Sequence, residues 1–175
     1  GGSQAPGPCN MHSADWIERR RWVLVFRGGD GRVYLNQLHA LDVDSYHWRR
    51  LEASGPPPER RANHASATDP QGLALFIFGG WDGRRRLNDL HRLDTRTLTW
   101  SSCSPSGPLP SPRAGMTLGW VSGMLLLFGG SGAGAKCFND LQMYDPEANR
   151  WVLTCCSHGL ADDAAGTGLR DGAQA

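Results

Sequence analysis

Three stretches of this 175-residue chain carry one residue pattern at a period of about fifty, and a repeat of that size limits what the chain can fold into. The apolar cores read Leu24-Val25-Phe26-Arg27-Gly28-Gly29, Leu75-Phe76-Ile77-Phe78-Gly79-Gly80 and Leu126-Leu127-Phe128-Gly129-Gly130. Each leads to an Asn-X-Leu opened by Asn36, Asn88 or Asn139, then to Asp42, Asp94 or Asp145, then to Trp48, Trp100 or Trp151. The Asn-to-Asp and Asp-to-Trp spacings are both six residues in every copy. One unit of this kind cannot bury its own apolar face, so the copies have to stack on one another.

Each unit reads as four strands, A to D. Strand A falls near residues 11–16, 63–68 and 115–120, and strand B is the apolar run before the paired glycines. Strand C holds the Leu of Asn-X-Leu and ends at the Asp, and strand D begins at or just before the Trp. Strand B is apolar on both faces, as expected of a sheet sandwiched between neighbours. A unit near fifty residues with four short strands is a β-propeller blade. In that setting Gly28, Gly29, Gly79, Gly80, Gly129 and Gly130 allow close backbone approach or positive φ. The late Trp fills the wedge between blades, with an indole N–H able to reach a backbone carbonyl. The Asp six residues earlier accepts backbone N–H bonds in the turn between C and D. Residues 54–58 and 106–110, Ser-Gly-Pro-rich and 52 residues apart, read as linkers from strand D of one blade to strand A of the next.

These residues resemble the kelch family over roughly positions 9 to 156. Its opening Arg-X-X-His is intact in Arg61-Ala62-Asn63-His64, whereas the first unit has Cys9 and His12 and the third has Arg113 and Met116 in those places. The first unit also places Arg27 where, in this alignment, the others carry Phe78 and Phe128. The resemblance implies an all-β, partial kelch-type β-propeller of three four-stranded blades. Their bounds are 9–54, 58–106 and 110–156, after a flexible segment 1–8 and before a disordered tail 157–175. Closed propellers use about four to eight blades, so three leave two strand edges and two apolar faces open. The expectation is a fragment of a longer propeller, prone to self-association through its terminal blades.

The net charge of +1 gives no electrostatic reason for a nucleic-acid or membrane partner, and no apolar run approaches the roughly twenty residues of a membrane helix. Five cysteines without a CxxC pair point to a reducing compartment, and hence to a cytoplasmic or nuclear protein. The adjacent Cys155 and Cys156 read as unpaired thiols. His12 and His64, and His39 and His91, hold matching places in different blades and therefore lie apart, so no metal site is expected. No nucleophile, base and orienting acid come together in the pattern; no enzyme activity and no cofactor are expected.

The loops after strand B vary while the frame does not: eight, nine and ten residues from the first paired glycine to the Asn. A variable loop on a fixed scaffold is the pattern of a binding surface. The kelch resemblance implies that the B-to-C loops and the D-to-A linkers emerge on one face, and that arginines there recruit acidic peptides. The matching positions are Arg61 and Arg113 at the strand A starts, with Arg32, Arg84, Arg85 and Lys136 in the loops and Trp81 as an aromatic anchor. The expected function is a protein-interaction module that takes up a protein or peptide. The alternative is a non-catalytic fragment of a kelch-type enzyme or small-ligand-binding propeller.

Overall fold

The structure is a computed structural model that describes residues 4–153. The tail 157–175, the end of the third unit and the Cys155-Cys156 pair lie outside the described residues. Among the described residues twelve strands form three four-stranded antiparallel meanders. Blade 1 holds β1 (Ser13–Ile17), β2 (Trp22–Phe26), β3 (Leu38–Asp42) and β4 (His47–Leu51). Blade 2 holds β5 (Ala65–Thr68), β6 (Ala74–Trp81), β7 (Arg86–Asp94) and β8 (Thr99–Cys103). Blade 3 holds β9 (Thr117–Val121), β10 (Met124–Phe128), β11 (Leu141–Asp145) and β12 (Arg150–Leu153). This is an all-β, partial kelch-type propeller. The Gln4 carbonyl lies 2.9 Å from His39 Nδ1, and the Gln4 side-chain oxygen accepts the Arg50 N–H.

Strand register corrects the sequence alignment of the first unit by one residue. Ser13, Ala65 and Thr117 pair with Phe26, Phe78 and Phe128, so these three phenylalanines are equivalent. Arg27 therefore stands at the place of Gly79 and Gly129, and Gly28 at that of Gly80 and Gly130. Gly29 takes the place of Trp81 and Ser131, each bridged to strand A's approach at Asn10, Ala62 and Ala114. A Cβ on Gly28 would sit 2.3 Å from the Asn10 carbonyl oxygen and one on Gly80 2.8 Å from that of Ala62; Gly79 is hemmed in as well, at φ +58° and 2.9 Å from the Arg113 carbonyl oxygen, whereas a Cβ on Gly129 would meet nothing nearer than 3.4 Å. Counted from the equivalent phenylalanines, the loops to Asn36, Asn88 and Asn139 are ten, ten and eleven residues, so only the third is longer.

The core lies between blades. Phe26, Leu24 and Ile17 of blade 1 meet Leu75, Ile77 and Trp100 of blade 2, while Phe76, Phe78 and Leu90 of blade 2 meet Met116, Leu118 and Trp151 of blade 3. The strand D Trp of blade 2 and that of blade 3 point backwards into the preceding blade. Trp100 packs edge-on against Phe26 at 5.7 Å between ring centres and Trp151 against Phe78 at 5.4 Å. Trp48 has no preceding blade among the described residues and is only half-buried, which corrects the expectation that all three fill a wedge. The expected indole hydrogen bond is also missing at Trp151, whose buried Nε1 has no acceptor among the described residues.

Linkers and turns fix the spacing. The Ser54 carbonyl accepts the Trp100 N–H and the Ser106 carbonyl that of Trp151, so each linker runs beside strand D of the blade it leads to. Gly55 makes this approach possible at φ +75°, because a Cβ there would lie 2.1 Å from the Trp100 carbonyl oxygen. In each C-to-D turn one carboxylate oxygen, of Asp42, Asp94 or Asp145, accepts two backbone N–H groups, as from Arg96 and Thr97 at Asp94. We expect Trp100→Ala, which empties a blade seam, to lower unfolding free energy by about 3–5 kcal/mol in urea titration.

The inner strands of blades 1 and 2 meet through two polar rungs, His64 Nε2 with Ser13 Oγ at 3.1 Å and Ser66 Oγ donating to Asp15 at 2.6 Å. Burial pushes the Asp15 carboxyl up to about 6, against the lowering effect of the Ser66 hydrogen bond. Burial, with the Arg61 charge nearby, pushes His64 down to about 3, so the imidazole stays neutral in the folded protein at neutral pH. A carboxyl raised on folding binds its proton more tightly in the native state, so its contribution is full below the unfolded value near 3.8 and is lost as pH rises through about 6. Asp15→Asn keeps the rung without the buried charge. At pH 7 the variant is expected to exceed the parent in stability by up to about 3 kcal/mol, with the gap closing toward pH 4. Denaturation at both pH values checks this; an equal gap at both would assign the change to packing.

Candidate interaction face

Two of the B-to-C loops are built on the same turn. In Asp30-Gly31-Arg32 and Asp82-Gly83-Arg84 the Asp Oδ1 accepts the N–H groups two and three residues on, and the arginine side chains stand exposed. The longer third loop contains a short 3-10 turn, Ala133–Ala135, and ends at exposed Lys136. It leads to another strand, β11, not to a long helix.

Arg61 and Arg113, expected on this face as partner contacts, are buried, with side-chain exposures of 0% and 1%. Arg61 makes two parallel bonds to Asp89, at 2.6 and 2.7 Å, and donates to the Gly79 and Glu59 carbonyls. Arg113 repeats the pattern with Asp140, at 2.6 and 2.9 Å, and with the Gly129 and Ser111 carbonyls. Their backbone N–H groups reach the preceding blade, at the carbonyls of Leu35 and Leu87. Phe138 lies against the Arg113 guanidinium at 3.9 Å. Four of the five N–H donors of each guanidinium are used inside the frame and both side chains are buried, so neither arginine has a fork free for a ligand. Burial alone would raise Asp89, but the Arg61 and His91 hydrogen bonds outweigh it and hold the carboxyl well below its usual range. Hydrogen bonds from Arg113 do the same for Asp140, against burial.

Blade 1 has neither partner of this pair. Cys9 stands at the arginine position and Gln37 at the aspartate position. Arg27, which replaces the first glycine, instead sends its guanidinium to Gln37 Oε1 at 2.6 Å and to the Pro8 carbonyl at 3.1 Å. The same space is thus filled by an arginine from a different point of the chain.

The remaining cations gather over blades 2 and 3. Arg84, Arg85, Lys136 and Trp81 line one open cleft of about 1050 Å³, floored by Asp89 and His91 and edged by Phe138. Trp81 is half-buried, with the Arg86 guanidinium 5.5 Å from its ring. Arg32 lies on the neighbouring blade's loop, outside this cleft. Asp89, His91 and Phe138 were not among the residues anticipated from the sequence. A signal existed: Arg61 and Arg113 each come with an Asp after the repeat Asn, whereas Cys9 comes with Gln37. Among the described residues no group of three or more His, Cys, Asp or Glu is placed to hold a metal ion.

The chain matches the KLHDC2/KLHL20/DRC7 Kelch-repeats domain over residues 2–166. The chain belongs to the kelch-repeat family. Similar kelch proteins include Rab9 effector protein with kelch motifs from Bos taurus, 36% identical over 136 residues, which covers 76% of this chain and 34% of that protein. Kelch domain-containing protein 2 from Bos taurus is 35% identical over 122 residues, covering 69% of this chain and 30% of its own length. Acyl-CoA-binding domain-containing protein 5 from Arabidopsis thaliana is 42% identical over 94 residues, 53% of this chain and 14% of the relative. The chain thus spans about a third or less of these relatives.

Removing one member of a buried charge pair strands the other, at a cost of about 3–5 kcal/mol. Asp89→Ala leaves the buried Arg61 without its carboxylate but still bonded to the Glu59 and Gly79 carbonyls, and Asp89 is itself 38% exposed, so a smaller loss of about 1–3 kcal/mol is expected by urea titration. Arg61→Lys should fail to restore the parent, because an ammonium cannot span two carboxylate oxygens and a backbone carbonyl together. A lysine variant as stable as the parent would show that the charge alone, not the fork, is what the seam requires.

Proposed function

We propose that this kelch segment is a non-catalytic protein-interaction module that takes up an acidic stretch of a partner protein in the cleft between the loops of blades 2 and 3. The observation that carries the reading is the gathering of Arg84, Arg85 and Lys136 beside Trp81 on one open cleft of about 1050 Å³. Small-ligand pockets run to about 300–1,000 Å³ and enclose most of the ligand, so an open cleft at the top of that range suits a peptide better. Arginine and tryptophan are the residue types that dominate protein interfaces, and arginine matches carboxylates bidentately. The near-neutral total charge favours neither nucleic acid nor a membrane surface. A relative named as a Rab9 effector is consistent with a protein partner. The aspartates of the frame favour such a division: Asp89 and Asp140 are already neutralised by Arg61 and Arg113, which leaves Arg84, Lys136 and, beyond its exposed 3.6 Å contact with Asp82, Arg85 to a ligand.

Selection from a random peptide display library tests this. Recovered peptides are expected to be enriched in Asp and Glu, with binding that weakens as salt rises. Truncating an interface anchor costs about 2 kcal/mol or more, so Arg84→Ala combined with Arg85→Ala should weaken binding at least about thirtyfold. Both arginines are exposed, and the melting temperature should stay within a degree or two of the parent. Peptides without acidic enrichment, or binding indifferent to the double substitution, would remove the cleft from consideration.

A further inference from the structure

Ser111 stands where the preceding blade junction carries a glutamate, and we infer that it is a phosphorylation site whose phosphate enters the cation cleft and shuts it to an acidic partner. The shutting rests on the loop-face reading above; the placing of the phosphate does not.

The two junctions hold this point of the chain alike. Glu59 and Ser111 each stand two residues before a buried arginine, and the carbonyl of each accepts that arginine's Nε–H, at 2.9 and 3.1 Å. One place earlier, the carbonyls of buried Pro58 and Pro110 accept from the side chains of Asn36 and Asn88, each at 3.0 Å. Glu59 and Ser111 are both exposed. Glu59 lines a small cleft with Arg84 and Asp82, and it shares the large cleft with Ser111, Arg84, Arg85, Arg86 and Lys136. An anion at this point is therefore already part of the fold at one junction. At the other the same point carries a hydroxyl, neutral until it is esterified.

The chain around Ser111 has the form that such a transfer needs. Proline alternates through Pro108-Leu109-Pro110-Ser111-Pro112, and a residue before proline is pushed to extended backbone. No residue of this stretch lies in a strand, and all but Pro110 are exposed. An exposed, extended Ser-Pro suits a proline-directed serine kinase with ATP as donor. The bond from Ser111 Oγ to the γ-phosphorus forms, the bond from that phosphorus to the β-bridging oxygen breaks, the hydroxyl proton is lost and ADP leaves.

The product carries about −1.5 to −2 charge and three strong acceptor oxygens at neutral pH. Phe138 ties Lys136 to the same corner of the cleft: its ring lies 5.0 Å from the Lys136 ammonium and 3.9 Å from the guanidinium of Arg113, whose Nε–H Ser111 accepts. The cleft's own anions are Glu59 and Asp89, and Asp89 is already bonded to Arg61 and His91. A phosphate on Ser111 thus competes for the cations that a partner's carboxylates would take, and it repels those carboxylates as well.

Ser104-Pro105 is the other Ser-Pro of the chain and lies outside the cleft, so the test uses the 175-residue chain carrying Ser104→Ala. Incubation with ATP and a proline-directed serine kinase, followed by mass spectrometry, should place phosphate on Ser111 and none there in Ser111→Ala. A phosphorus NMR titration then reads the surroundings of the phosphate. Its second ionisation, at about 6 in a free phosphoserine, should fall by at least about half a pH unit beside the cations and return when Arg85→Ala and Lys136→Ala are combined. A fluorescent oligoglutamate peptide is the binding probe. Phosphorylation should weaken its binding at least about tenfold, whereas Ser111→Ala should bind as the parent does before and after kinase treatment. No phosphate at Ser111, a phosphoserine that titrates at about 6 regardless of the two substitutions, or probe binding unchanged by phosphorylation overturns the inference. A parent that does not bind the probe removes the loop-face reading, and with it the shutting; the phosphorus titration still decides where the phosphate sits.

Discussion

The buried arginine at the start of strand A holds two blades in register at once. The Arg61 backbone N–H bonds to Leu35 of blade 1, while its guanidinium grips Gly79 and Asp89 of blade 2. Apolar seams alone resist sliding weakly, because dispersion between flat sheets is non-directional. A fork that needs two carboxylate oxygens and a carbonyl in one geometry admits a single position. Desolvating such a pair offsets most of its attraction, so its weight falls on position more than on net stability. The seam tryptophans and glycine approaches depend on that register: a shift of one residue would turn Phe78 away from Trp151.

Most of the frame was legible from spacing. The strand assignments, the propeller class and the path of the linkers follow from residues that repeat because each blade needs them. What was not legible is where each repeated residue spends its charge. Arg61 in a Pro-rich linker reads as a loop residue, and exposure leaves no local mark in sequence; only its pairing with Asp89, repeated by Arg113 with Asp140, tells that the charge is internal. The glycine alignment failed for a physical reason as well. Gly28-Gly29 looks like Gly79-Gly80, but the place crowded in all three blades is that of Gly28, Gly80 and Gly130; the preceding place holds Gly79 and Gly129 at positive φ in blades 2 and 3 and Arg27 in the blade that lacks the buried arginine.

Blade 1 shows what the position requires. With Cys9 and Gln37 in place of the ion pair, a guanidinium still arrives between strand A's approach and strand C, now from Arg27. The constant is therefore a planar donor in that space rather than a residue at a fixed point of the chain. A neutral amide partner removes the charge pair but keeps the hydrogen bond, and Arg27 stays only part-buried, where water lessens the desolvation of its charge.

Direction is the property that follows from all of this. Blade 2 receives a tryptophan on one face and inserts one from the other, and Asn36 and Asn88 both donate toward the linker ahead. Blades of this kind add in one order only, because reversing one would set tryptophan against tryptophan and leave both the Asn and the linker carbonyl unpaired. A blade of this kind therefore carries two different faces, one that receives a tryptophan and one that inserts it, and its neighbour is selected by side chain and spacing as well as by apolar area.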